Sequence, residues 1–135
     1  MLVIGHRGAP SLKHGNTLES FDVALQNKVD GIELDVQLSQ DNKLVVFHDL
    51  HTYSLNGAHT LIQDINFSDL PKINLKFSIP HLEEVLRKVP SNKELHIEIK
   101  SNQINNEIII QKVYSLVSQY QLIEQTIFSS FNPFV

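Results

Sequence analysis

Glu33 and Asp35 stand two residues apart in the stretch Gly31-Ile32-Glu33-Leu34-Asp35-Val36-Gln37-Leu38. On a strand, that spacing puts both side chains on one face with their backbones about 6.5–7 Å apart. Both carboxylates can then converge on one cation at the roughly 2.0–2.6 Å per ligand that hard ions require. Glu98 is a third carboxylate, on the polar side of another alternating segment and flanked by His96 and Lys100. Three carboxylates in one cavity repel one another unless opposite charge neutralises them. A divalent cation, together with Arg7 and Lys100, would supply that charge. An all-oxygen ligand set favours Mg²⁺ or Ca²⁺ over zinc. The competing reading of Glu33 and Asp35 is a solvated polar strand face.

His6 and His48 each follow an apolar run, where strands hand over to loops. Two histidines so placed could serve as general base and general acid near neutral pH. Taken singly, any histidine is more often a surface or capping residue; His14, His51, His59 and His81 are read that way. Arg7 offers a planar fork suited to phosphate oxygens, and Gly8 lets backbone approach a ligand closely. Lys100 could balance the same phosphate charge. The plainer readings are a tight turn with a surface arginine and an exposed lysine at a strand end.

These residues need a framework. Leu2-Val3-Ile4-Gly5 reads as a first buried strand. Asn16, with Glu19 three residues on, fits a helix-starting capping box, and Asn27 is a plausible helix stop. The alternating stretch 31–38 is a second strand, Gln40–Lys43 a polar turn, and Leu44-Val45-Val46-Phe47 a third strand. So short a turn implies an antiparallel hairpin, which returns residues 47–49 opposite Glu33 to Asp35 and brings His48 beside them. Phe67–Leu70 reads as a helical turn stopped by Pro71. Pro80 reads as the start of a helix with Leu82, Val85, Leu86 and Val89 on one side. Residues 95–100 alternate strictly, 107–121 form an amphipathic helix, and 126–129 a last strand. Strands alternating with helices indicate an α/β fold with a mostly parallel sheet.

Composition sets outer bounds. The 135 residues carry 11 Lys+Arg against 15 Asp+Glu, a net charge of −4, which weighs against electrostatic binding of nucleic acid or an anionic membrane. Cysteine is absent, which excludes disulfides and thiolate chemistry. No apolar run of about 18 residues occurs, and residues 1–8 lack the pattern of a secretory leader; cytoplasmic residence is the expectation. No P-loop, GxSxG or dinucleotide fingerprint is present.

Taken in order, the segments His6-Arg7-Gly8-Ala9-Pro10, Asn16-Thr17-Leu18-Glu19-Ser20-Phe21, Asp30-Gly31-Ile32-Glu33-Leu34-Asp35-Val36, Leu44-Val45-Val46-Phe47-His48-Asp49, Ile79-Pro80-His81-Leu82-Glu83-Glu84-Val85-Leu86, Ile97-Glu98-Ile99-Lys100 and Ser129-Ser130-Phe131 resemble the glycerophosphodiester phosphodiesterase family across the chain. The resemblance implies a TIM-type (β/α) barrel of the PLC-like phosphodiesterase kind. It implies metal-dependent hydrolysis of a small-molecule glycerophosphodiester to sn-glycerol 3-phosphate and an alcohol. Carried over, Glu33, Asp35 and Glu98 are the ligands of one divalent cation, Mg²⁺ or Ca²⁺. His6 and His48 are the general acid–base pair, and Arg7 and Lys100 contact the phosphate.

The chain departs from the family pattern in three places. Gly15 stands where the family usually has Glu, removing one acidic rim group. The loop after His48-Asp49 is one residue shorter and lacks the family's arginine. The resemblance ends part-way round the barrel, since a closed eight-fold barrel takes roughly 200–250 residues. Residues 1–135 are thus expected to form one domain truncated at the C-terminus, with about the first half to two-thirds of the barrel. Open barrel edges are expected to favour self-association. Two other readings fit these departures: a relative that binds metal or ligand without turnover, or a phospholipase of the same barrel type.

Overall fold

A computed structural model describes residues 1–74 and 76–135. Strand β1 (Ile4–His6) leads into helix α1 (Leu18–Gln26), then β2 (Gly31–Leu38) and β3 (Leu44–Val46). Two single-turn helices follow, α2 (Tyr53–Asn56) and α3 (Leu70–Ile73), then α4 (Leu82–Leu86), β4 (Glu94–Ile99), α5 (Glu107–Gln119) and β5 (Thr126–Ser129). The parallel order is β1-β2-β4-β5, with β3 paired antiparallel to β2. This is an incomplete β/α barrel, whose described sheet is open at β1 and β5. Among the described residues, no helix is long and apolar enough to cross a membrane.

Alternation along the strands sorts the sheet into two faces. Ile32, Leu34 and Val36 of β2 and Leu95, Ile97 and Ile99 of β4 are buried in one core with Phe21 and Ala24 of α1, Leu82 and Val85 of α4, and Ile109, Val113 and Val117 of α5. Truncating such a residue, Ile97→Ala for example, costs about 2–5 kcal/mol. The helices take the apolar face, leaving the intervening residues Glu33, Asp35, Gln37, His96 and Glu98 to the opposite face. A second core of Val45, Phe47, Leu55, Ile62 and Leu70 packs against Ile65, Phe67, Ile73, Phe77 and Ile79.

The local reading holds for most elements but fails at the first strand, at Pro71, at Pro80 and at the α1 cap. The first strand begins at Ile4, not Leu2, because Leu2 and Val3 are exposed beyond the edge of the core. Pro71 does not stop the turn at Phe67–Asp69 but sits in the first turn of α3, where its missing N–H costs nothing. Pro80 precedes α4 rather than starting it. His81 is the cap instead: its Nδ1 accepts from the Glu83 N–H at 3.2 Å, while Glu84 Oε2 accepts from the His81 N–H at 2.8 Å.

Candidate functional site

The parallel register builds the site. His6 pairs with Glu33, and Asp35 pairs with Glu98 across β2 and β4. One carboxylate oxygen each from Glu33, Asp35 and Glu98 falls within 4.8 Å of the other two. Asp35 is buried, with 1% of its side chain exposed, whereas Glu33 and Glu98 are partly open.

Basic groups face the cluster. Lys100 Nζ lies 2.5 Å from Glu98 Oε1 and 3.3 Å from Asp35 Oδ1. Arg7 Nε lies 3.1 Å from Asp35 Oδ2, and the Arg7 backbone N–H donates to Glu33 Oε2 at 2.9 Å. Arg7 can do both because the chain turns sharply there, with φ 55° at Arg7 and φ 86° at Gly8. A Cβ on Gly8 would collide with the α1 backbone at Ser20, 2.6 Å away, so only glycine fits. Burial pushes the Glu33 carboxyl above the usual range; the Arg7 N–H opposes the shift, and the Asp35 charge adds to it. Asp35 Oδ1 is buried and accepts no hydrogen bond. A buried acceptor that lacks a hydrogen bond, beside two more carboxylates, is what a divalent cation would satisfy. The oxygen-only donor set suits Mg²⁺ or Ca²⁺.

The two histidines are placed differently: His6 contacts the cluster, and His48 shares a cavity lining with Lys100. His6 Nε2 is 3.8 Å from Glu33 Oε2, and its ring is largely exposed. His48 lies two residues past the end of β3, since the ladder closes at Val36–Val46. Its Nδ1 is 2.7 Å from Asp49 Oδ1. Burial raises the Asp49 carboxyl, but hydrogen bonds from Ser54 and His48 outweigh that and hold it low. His48 and Lys100 line a cavity of about 610 Å³ with Ile104, Phe131 and Phe134. Lys100 Nζ also sits 5.6 Å from the Phe131 ring centroid.

Three contributors escaped the sequence reading. Asn16 is not the α1 cap: Thr17 Oγ1 accepts from the Ser20 N–H, and Asn16 bonds Asp35 instead. Gln37 Nε2 donates to the Phe47 and Asp49 carbonyls, both at 2.8 Å, and so tethers the His48 segment to β2. Asp49 orients His48. Gln37 was detectable as the third polar residue on the face of Glu33 and Asp35, and Asp49 as the neighbour of a candidate histidine.

Comparison with known proteins gives one answer. The model of the glycerophosphoryl diester phosphodiesterase family matches residues 6–133. A glycerophosphodiester phosphodiesterase of Caldanaerobacter subterraneus is 34% identical over 98% of this chain and 59% of its own length. A human lysophospholipase D is 31% identical over 96% of this chain and 45% of its own. Among solved structures, the glycerophosphodiester phosphodiesterase of Thermotoga maritima superposes with a TM-score of 0.82 at 34% identity, covering 98% of this chain and 55% of that one. An Oleispira antarctica phosphodiesterase, solved with its product sn-glycerol-3-phosphate, superposes at 0.85 with 28% identity, over 99% of this chain and 59% of that one. The chain thus spans little more than half the length of most of these relatives. On the family match, the shared fold and the near-complete coverage, this chain belongs to the glycerophosphoryl diester phosphodiesterase family.

Proposed function

We propose that this chain carries the metal and acid–base half of a phosphodiesterase site that converts a glycerophosphodiester and water to sn-glycerol 3-phosphate and an alcohol, in the cytoplasm. The observation that carries this reading is the meeting of Glu33, Asp35 and Glu98 from two strands, with Arg7 and Lys100 against them. In it, Glu33, Asp35 and Glu98 hold one divalent cation, Mg²⁺ or Ca²⁺. Such a cation supplies Lewis-acid polarisation of a phosphoryl oxygen and orients the attacking oxygen.

The chain's own groups do the rest. Arg7 and Lys100 bind the phosphate oxygens, moving off the carboxylates they now neutralise. His48, with Nδ1 against Asp49, presents Nε2 as the proton acceptor for the attacking water. As the phosphorus–alcohol bond breaks, His6 delivers a proton to the leaving alkoxide. The test is release of sn-glycerol 3-phosphate from glycerophosphocholine. Release that stops with EDTA and in His6→Ala supports the reading; release indifferent to both overturns it.

A second reading is a relative that holds the cation without turnover. It is favoured by Gly15, which packs against Arg7 and brings no acidic group to that rim. Cation binding with no release of sn-glycerol 3-phosphate, under conditions where a full-length relative turns over, would select it.

A further inference from the structure

Asn16 takes a conformation that its place before a helix does not require. Its φ is 61°, it is 4% exposed, and Thr17 already caps α1. The side chain is spent on Asp35. Nδ2 donates to Asp35 Oδ2 at 2.8 Å, and Oδ1 accepts from the Asp35 backbone N–H at 3.2 Å. These two bonds fix the Asp35 carboxylate relative to its own backbone. The loop is anchored in turn, since the Asn16 N–H donates to the Arg7 carbonyl at 3.0 Å.

The consequence is an asymmetry between the two Asp35 oxygens. Oδ2 faces the Asn16 amide and, at 3.1 Å, the Arg7 guanidinium. Oδ1 accepts no hydrogen bond among the described residues and faces Lys100 Nζ at 3.3 Å. An oxygen already accepting from an amide and facing a guanidinium is a poor second ligand to a cation. Building on the metal reading above, we propose that Asn16 is a positioning residue that makes Asp35 a one-oxygen ligand and so biases the site toward Mg²⁺ over Ca²⁺. Mg²⁺ demands a compact octahedral shell of single-point ligands. Ca²⁺ takes six to eight oxygens and readily accepts a carboxylate through both of its own. A carboxylate with one oxygen tied back serves the first ion and handicaps the second.

The test is calorimetric titration of the full chain with Mg²⁺ and, separately, Ca²⁺, for wild type, Asn16→Gly and Thr17→Ala. Glycine tolerates the positive φ and removes both side-chain bonds to Asp35. Thr17→Ala weakens the same loop at its helix cap without touching Asp35. The expected result is a Mg²⁺ affinity about tenfold weaker in Asn16→Gly, the usual scale for losing a group that orients a ligand. Ca²⁺ affinity should fall less, so the preference shifts toward Ca²⁺, while Thr17→Ala keeps the wild-type ratio. An unchanged ratio in Asn16→Gly, or an equal shift in Thr17→Ala, overturns the inference and leaves the metal reading standing. Wild type binding neither cation overturns that reading, and this inference with it.

Discussion

Asp35 of β2 lies in register with Glu98 of β4, and Lys100 Nζ bridges their carboxylates. The parallel ladder forces the two acids together, and without a cation the lysine offsets both at once, 2.5 Å from Glu98 Oε1 and 3.3 Å from Asp35 Oδ1. Arg7 and Asn16 share the task only at Asp35 Oδ2.

Lys100→Met should therefore destabilise the cation-free chain by about 2–3 kcal/mol. That is below the 3–5 kcal/mol typical of a broken buried pair, because Arg7 and Asn16 still face Asp35. Added Mg²⁺ or Ca²⁺ should restore part of the loss. Urea unfolding in EDTA and in excess cation measures both. Equal stability of variant and wild type in EDTA would count against the bridging role.

Gln37→Leu should unfasten the His48 segment. Two carbonyls lose their donor, at a cost of about 2 kcal/mol, while the Val36–Val46 ladder remains. Amide hydrogen exchange should speed up at residues 47–49 and stay unchanged in β4. Protection retained at 47–49 would show that Gln37 does not hold the segment.

Stability should fall on mild acidification at His81. Burial holds its imidazole below the usual histidine value; the charges of Glu83 and Glu84 oppose that shift, and those of Lys43 and Lys112 add to it. The unfolded chain thus takes up a proton before the folded one does. Stability is full above about pH 6.5 and is lost as the pH drops from there through the lower folded value. A protonated ring also cannot accept from the Glu83 N–H. In His81→Asn, which caps at any pH, the loss between pH 7.5 and 5.5 should shrink, with caps of this kind worth about 1 kcal/mol. Melting curves at the two pH values decide it; parallel losses in both proteins would refute the assignment.

The open edge at β5 should drive association. Ile127 and Phe128 on β5, and Phe131 and Phe134 just beyond it, are exposed, an apolar surface beside an unpaired strand edge. Sedimentation should show the 135-residue chain forming oligomers that grow with concentration and diminish in Ile127→Lys. A monodisperse monomer throughout the micromolar range would contradict this.

Much of the sheet was legible because period-two alternation in 31–38 and 95–99 states both faces at once. The acidic pair and Glu98 came with it, since one register step fixes their meeting. Asn16 was not legible: a residue two before a helix reads as a cap, and only the fold shows Thr17 taking that place. Pro71 and Pro80 were misread for a similar reason. Proline fixes its own φ but does not say whether a helix ends, begins or lies one residue on. His48 stands out by its place after the third strand, and family likeness gives it a role, but its partner Asp49 and its tether Gln37 depend on where the hairpin ladder stops.

The most direct measurement is calorimetric titration of a divalent cation into wild type and Glu33→Gln. The account predicts one Mg²⁺ or Ca²⁺ per wild-type chain, with about 2.7 kcal/mol of added stability at a hundredfold excess over Kd, and loss of both in the variant. Absence of binding by wild type, or undiminished binding in Glu33→Gln, would contradict it.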